Sequence, residues 1–392
     1  MADTNDTNDR PSVITDVNLR LRRLADHKVT VVDPRQTWID ANVDLERIAE
    51  GVVLHPGTRI EGSRTLLSHG AVIGREGPAT LVDCVLGTGA RIDSGYANNA
   101  VLLAGASAGA NAHLRDGTIL EEQACTAHAV GLKHTILLCF VTLGSQINFC
   151  DCLMAGGTSR KDHSEVGSGY IHFNFTPWGR RGDKATPSLF GDVPRGVFLR
   201  ESRIFLGGSA GAVGPRHVGF GGVAVAGQVL RQDIGDERIV GSVPREINQS
   251  FTPHKSRKGT ERKKLRNLIY IGNLHALGAW YEQVRIARIT ADQPFTKEVM
   301  GAAQINIDRA ILERRKRLDA ALEEWGEAPV RWSDPEVPPC PIKIEPSSID
   351  HLRWIQALEP SEIAAGSAWL RAIVDSVVGR VATTEVPPRH QA

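Results

Sequence analysis

Aliphatic or small residues recur at every sixth position along much of the N-terminal two thirds of the chain. The positions in register are Leu206, Ala212, Val218, Ala224 and Leu230, then Leu102, Ala108, Leu114 and Leu120, and in shorter runs Leu54, Ile60 and Leu66, Leu137, Leu143 and Phe149, and Ile39 and Leu45. Helices repeat at three and four residues and half-buried strands at two, so neither explains a sustained six. A period of six is typical of a triangular solenoid, in which each step forms one flat side and places its aliphatic residue inside. The pattern predicts an all-β solenoid, a left-handed parallel β-helix of hexapeptide repeats, over residues 29–245.

The six-residue period is interrupted in three places. The interruptions lie between Leu66 and Leu86, between Leu120 and Leu137, and between Cys150 and Leu206. In solenoids, such insertions form loops that leave the prism and often carry binding residues. Site residues are therefore expected in and beside these segments.

Beyond Arg245 the apolar spacing becomes helical. It includes Leu277, Trp280, Tyr281 and Val284, and later Ile307, Ile311, Leu318, Leu322 and Trp325. This spacing predicts a helical hairpin over residues 246–331. A proline-rich linker is expected over 332–348. A C-terminal helix and tail follow over 349–392, with the helix from Pro360 to Val378. Residues 1–28 are predicted to be disordered or a short helix.

Composition narrows the function classes. The 392 residues include 39 glycines, which suits a turn-rich β protein. The net charge of +1 argues against nucleic-acid binding over a broad surface. The basic stretch Lys255–Arg266 is interpreted as a solvated start of a helix rather than a phosphate or nucleic-acid site. The N-terminal residues lack the apolar core of a secretory signal. The longest apolar run, Thr135–Leu143, is too short to span a bilayer. We therefore expect a cytoplasmic protein that is not inserted in a membrane.

The six cysteines show no disulfide framework, and we expect reduced thiols. The pair Cys150 and Cys152 could hold a metal ion, but alternate residues of a strand share a face, and small thiols pack well inside a solenoid. Packing is the favoured interpretation, and no metal site is predicted.

The segment from Val29 to about Ile234 resembles the C-terminal half of the bifunctional UDP-N-acetylglucosamine pyrophosphorylase/glucosamine-1-phosphate N-acetyltransferase family. Its opening, VTVVDPRQTWIDANV, is similar to the start of that family's β-helix, and its closing part, FLGGSAGAVGPRHVGFGGVAVAGQVL, to the family's last coils. The resemblance implies acetyl-CoA as co-substrate, an amino-sugar phosphate or UDP-sugar as acceptor, and a homotrimer with sites between neighbouring prisms.

Two cations keep the spacing of the family's phosphate-binding residues. Arg115 in AHLRDG and Lys133 in GLKHT are eighteen residues apart, which is one full turn of a hexapeptide coil. Both could therefore lie on one edge, one coil apart. A guanidinium binds phosphate through two parallel hydrogen bonds, and an ammonium adds a point charge. The alternative is two unrelated surface cations.

Further positions are implied by the resemblance alone. The segment GSGYIHFNF is similar to a family signature in which Asn174 would contact the sugar, and Lys184 matches a substrate-binding lysine beyond an insertion. Ser168, Gly208 and Ala226 match the residues along which acetyl-CoA is laid. Small residues are also what the corners of a solenoid require, so their presence has two explanations.

The family's general base is a histidine, and its position here is open. Counting from Lys133 reaches Ser145, whereas counting back from GSGYIHFNF reaches Asp151, and neither is a histidine. Serine is a poor base at neutral pH, and an aspartate would need a raised pKa. His163, in a polar loop with neighbouring carboxylates, and His134, next to Lys133, are the catalytic hypotheses.

Other functions remain open at this point. The sequence contains no glycine-rich phosphate loop followed by lysine, so we expect uridylyl transfer to be missing even if homology suggests a pyrophosphorylase name. A non-catalytic scaffold or sensor that binds a sugar nucleotide would explain the unplaced base. A metal-assisted lyase using His128, His134 or His163 as ligands is a third hypothesis.

Overall fold

The main body of the protein is a parallel β-solenoid of about eleven turns, followed by helices from residue 260 onward. The computed structural model describes residues 13–171, 185–242 and 260–383. One side of the prism is an eleven-stranded parallel sheet. Its strands are Thr30–Val31, Val53–Leu54, Val72–Ile73, Arg91–Ile92, Ser107–Ala108, Cys125–Thr126, Thr142–Leu143, Glu165–Val166, Phe205–Leu206, Val223–Ala224 and Ile239–Val240. The predicted fold class is confirmed.

The other two sides form one continuous sheet of sixteen strands. They are joined because two long strands, Val130–Leu137 and Ile147–Met154, bend round a corner at His134 and Asp151, which have φ of +47° and +52°. The side before this corner is called the open face, and the side after it the covered face.

The open face contains the strands Trp38–Ile39, Arg59–Glu61, Ala79–Val82, Gly95–Asn98, Ala112–Leu114, Gly169–Ile171, Ala210–Ala212 and Val229–Leu230, with the first halves of the two long strands. The covered face contains Leu66–Leu67, Val85–Leu86, Val101–Leu102, Ile119–Leu120, Ser188–Phe190 and His217–Val218, with their second halves. An antiparallel pair, Gly157–Ser159 with Asp162–His163, lies apart from both sheets.

The six-residue period corresponds to the filling of the prism. Leu102, Leu114, Leu206 and Ala224 are fully buried, as the pattern predicts for inward positions. Successive coils approach closely where they turn. At Gly169, with φ of +136°, a Cβ would lie 1.7 Å from the carbonyl oxygen of Ala210 on the next coil, so this position requires glycine.

Helices cap the N-terminal end and follow the solenoid. Helix α1 spans Val13–Asp26 and the short α2 spans Val193–Gly196, while single 3₁₀ turns occupy Pro34–Gln36 and Leu45–Arg47. The C-terminal helices are α3 (Thr260–Trp280, continued by a π-helical turn at Tyr281–Ile286), α4 (Pro294–Trp325), α5 (His351–Ala357) and α6 (Pro360–Thr383). None of the helices within the described ranges is both long and apolar enough to span a bilayer.

The C-terminal helices pack on the covered face. Its outward positions are apolar and buried, at Val85, Val101, Ile119, Ile136 and Leu153. Helix α4 contacts the strands Val85–Leu86 and Val101–Leu102. Burying each such side chain is worth about 1.5–3 kcal/mol, so this interface fixes the extension to the prism. The open face has no such cover from the described helices.

Candidate functional site

The predicted cation pair lies at the edge of the open face nearest its corner with the covered face. Leu114 pairs with Leu132 on the next coil, and the Arg115 amide donates to the Leu132 carbonyl at 2.9 Å, so Arg115 and Lys133 occupy matching positions. Lys133 pairs in turn with Cys150. Both cations are half-buried, and in the described part of the chain neither forms an ion pair. Within those residues, no carboxylate neutralises their charges.

Cys150 completes this edge without supplying a counter-charge. Its Sγ lies 3.8 Å from Nη2 of Arg115. Burial and the charge of Asp151 raise the pKa of the Cys150 thiol to about 11, against the influence of Arg115 and Lys133. The thiol is therefore neutral at pH 7 and does not offset the positive charge of the pair.

The three small residues matched to the acetyl-CoA positions form one column at the opposite edge of the open face. Val166 pairs with Leu206 and Leu206 with Ala224, which places Ser168, Gly208 and Ala226 at the same position on successive coils. The column is closely stacked, since the Ser209 amide donates to Ser168 Oγ at 2.7 Å and the Gly227 amide to the Gly208 carbonyl at 2.9 Å.

The same column continues toward the N-terminus through two residues that the sequence reasoning did not combine. Thr126 pairs with Leu143 and Leu143 with Val166, so His128 and Ser145 precede Ser168 along this edge. Ser145 Oγ and His128 Nδ1 are hydrogen-bonded at 3.0 Å. His128 is exposed and Ser145 half-buried. Their spacing of seventeen residues, close to one coil, is the signal that could have revealed this pair.

A third column runs between the two edge columns of the open face. Asn148 pairs with Gly131 on one side and with Tyr170 on the other, and Tyr170 is 57% exposed. Ser145 and Cys150 stand on one coil, five residues apart, separated by a turn at Gln146 and the start of the strand Ile147–Met154. The open face thus presents cations at one edge, an amide and a phenol between, and an imidazole–hydroxyl pair at the other edge.

His134 lies at the corner, beneath the helical extension. Burial lowers the pKa of His134, although the charge of Asp151 acts in the opposite direction. The ring is therefore mainly neutral at pH 7. Asp151, reached by the second count for the base, is buried and forms an ion pair with Arg314 of α4 at 2.8 Å. To act as a base, Asp151 would have to give up this partner.

His163 lies in the antiparallel pair outside the prism. Its Nδ1 is 2.9 Å from the Arg160 carbonyl, and its Nε2 is 3.9 Å from Glu165, so the carboxylate predicted to orient the ring is present. Glu165 belongs to the eleven-stranded side. His134 therefore lies at a corner of the prism and His163 outside it. Asn174 and Lys184, the remaining predicted substrate contacts, lie outside the described residues.

One buried group has ligand atoms close enough to suggest a metal site in the described residues, namely Glu121, Glu122 and Cys139. Arg285, from the π-helical turn, pairs with Glu121 at 3.1 Å and also with Glu122. The Tyr281 hydroxyl donates to Glu121 at 2.7 Å. Because a guanidinium already balances the carboxylates, this cluster is an internal salt bridge between the solenoid and its helices.

Comparison with known proteins agrees with the fold. No family model matches the chain. The bifunctional protein GlmU of Paenarthrobacter aurescens (strain TC1) is 30% identical over 237 residues, covering 60% of this chain and 42% of that protein. GlmU of Kineococcus radiotolerans is 30% identical over 214 residues, covering 55% of this chain and 38% of that protein. GlmU of Nocardia farcinica is 30% identical over 206 residues, covering 53% of this chain and 36% of that protein. The chain thus spans about two fifths of the length of these relatives. The resemblance predicted from the sequence is confirmed.

Proposed function

We propose that this protein transfers an acetyl group from acetyl-CoA to the amine of an amino-sugar phosphate or UDP-sugar. The observation that carries the proposal is the placement of two independent sets of matched residues on one face. Arg115 and Lys133 stand at one edge and Ser168, Gly208 and Ala226 at the other. Similarity to GlmU and the β-solenoid support a role of this class in sugar-nucleotide metabolism.

Each set suits one substrate. The charges of Arg115 and Lys133 favour a phosphate, with charge-assisted hydrogen bonds from both. The column of small residues lets an extended pantetheine arm lie close to the backbone, where larger side chains would hold it away. Asn174 and Lys184 are proposed to complete the sugar contacts. Holding the amine against the thioester supplies catalysis by proximity.

The proposal is tested by measuring release of the CoA thiol from acetyl-CoA in the presence of glucosamine-1-phosphate. We expect turnover by the wild type and its loss in Ala226→Trp, because the indole would fill the path of the pantetheine arm, while UDP-sugar binding is retained. Arg238→Trp, an exposed position on the last coil away from the column, is the control. Binding of the sugar nucleotide without any turnover would favour a scaffold or sensor.

We also propose that three copies associate in the cytoplasm with sites shared between neighbouring prisms. Because α3 and α4 occupy the covered face, a neighbour would have to contact the other two sides. Tyr170 and Val229 are 57% and 43% exposed on the open face and offer apolar contact area there. Sedimentation equilibrium should give three times the 42.5 kDa chain mass. A monomer at all concentrations would contradict shared sites.

A further inference from the structure

We infer that His128 accepts the proton of the attacking amine, with Ser145 as the residue that positions its ring. This inference rests on the proposed function and names the base that the sequence left unplaced. It starts from the hydrogen bond of 3.0 Å between Ser145 Oγ and His128 Nδ1.

The hydrogen bond leaves the other ring nitrogen free. A neutral imidazole has one donor and one acceptor nitrogen, and the Ser145 hydroxyl can accept from the first or donate to the second. In the tautomer that serves as a base, Nδ1–H donates to Ser145 Oγ and Nε2 is the acceptor. His128 is exposed, so a ligand on the open face can reach this nitrogen.

The position of His128 and Ser145 relative to the two proposed substrates is the reason for assigning the base to His128. His128 and Ser145 stand on the same edge as Ser168, Gly208 and Ala226, on the coils directly before them. A pantetheine arm lying along the column would bring its thioester to this end. The phosphate end of an acceptor held by Lys133 lies across the face, which places the sugar between the cations and the imidazole.

The other possible bases are less well placed. Asp151 is buried against Arg314, and His134 lies at the same corner, away from the small-residue column. His163 stands in the antiparallel pair outside the prism. A base must be within hydrogen-bond reach of the proton that it removes. Among these groups, His128 alone shares the edge of the column.

The reaction balances with the groups named. The amine nitrogen attacks the thioester carbonyl carbon, the new C–N bond forms and the C–S bond breaks. The amine proton passes to His128 Nε2 and then to the departing thiolate. The products are the N-acetylated sugar and CoA as the free thiol, and His128 returns to its neutral state.

The experiment compares steady-state acetyl transfer by wild type, His128→Ala and Ser145→Ala, with acetyl-CoA and glucosamine-1-phosphate as substrates. We expect His128→Ala to lower kcat by roughly 100- to 10,000-fold, the usual contribution of a general base, with KM values changed by only a few-fold. Added imidazole should restore part of the rate. Ser145→Ala should cause a smaller loss, because the base remains. The control is His69→Ala, an exposed histidine elsewhere whose Nδ1 is likewise hydrogen-bonded, to the Glu50 carbonyl at 3.2 Å.

The outcomes separate the two proposals. A wild type that transfers no acetyl group removes the proposed function and this inference with it. Active wild type with an undiminished His128→Ala, or with its largest loss in His134→Gln or His163→Gln, overturns this inference alone. A loss in Ser145→Ala as large as that in His128→Ala, with an acetylated enzyme in the wild type, would make Ser145 a nucleophile and overturn it as well.

Discussion

Arg115→Ala and Lys133→Ala are each expected to weaken binding of UDP-N-acetylglucosamine by roughly 10- to 150-fold. This corresponds to about 1.5–3 kcal/mol, the usual worth of a hydrogen bond to a charged group. The two cations occupy matching positions on adjacent coils, where one phosphate can contact both. Isothermal titration calorimetry gives the dissociation constants. Because the two groups would grip one phosphate, the double variant should show a coupling energy between them.

The fold should survive both substitutions, since each side chain lies on the outside of the prism and is half-buried. The melting temperature without ligand is therefore expected to stay close to that of wild type. Arg59→Ala is the matched control, because Arg59 lies on the open face but is paired with Glu61 at 2.9 Å. Wild-type affinity in either variant would remove the assignment of this pair as a phosphate site. Unfolding would show instead that the charges serve stability.

Arg285→Met is expected to destabilise the protein by about 3–5 kcal/mol, the cost of removing one partner from a buried ion pair. Arg285 is 4% exposed and pairs with Glu121 and Glu122, which are 2% and 4% exposed. Burial already raises the pKa of Glu121, while the charge of Arg285 opposes this shift. Without the guanidinium, two adjacent buried carboxyl groups would have to take up protons or separate. The denaturation midpoint in urea, followed by circular dichroism at pH 7, measures the effect.

Two comparisons make this result specific to the cluster. Arg317→Met removes a guanidinium that is 35% exposed and pairs with Glu313 at 2.6 Å within the same helix, so its loss should cost only about 0.3–0.5 kcal/mol. Combining Arg285→Met with Glu121→Leu and Glu122→Leu should recover most of the stability, because an apolar cluster replaces a buried charged one. Equal midpoints for Arg285→Met and Arg317→Met would show that the cluster does not hold the helices to the solenoid.

The sequence predicted the column structure wherever the coil length was regular. Arg115 and Lys133 are eighteen residues apart and stack, as do Gly208 and Ala226. The prediction reached its limit where the coil length changed. Thr126 and Leu143 are seventeen residues apart, so a strict count of eighteen from His128 ends at Gln146 instead of Ser145. A strict count of eighteen therefore misses the hydrogen-bonded pair that the structure shows.

By itself, the sequence determined the solenoid, because a six-residue period of inward side chains is a local property that each step repeats. It also placed Arg115 and Lys133 one coil apart, since their spacing belongs to the same period. Only the tertiary structure decided which side of the prism the C-terminal helices cover. Apolar residues such as Val101 and Ile119 occupy outward positions, and nothing local identifies what covers them. The answer depends on contacts such as Arg314 with Asp151, which are 163 residues apart. Packing between such distant segments leaves no periodic signal. The described helices leave the face of His128, Lys133 and Arg115 uncovered.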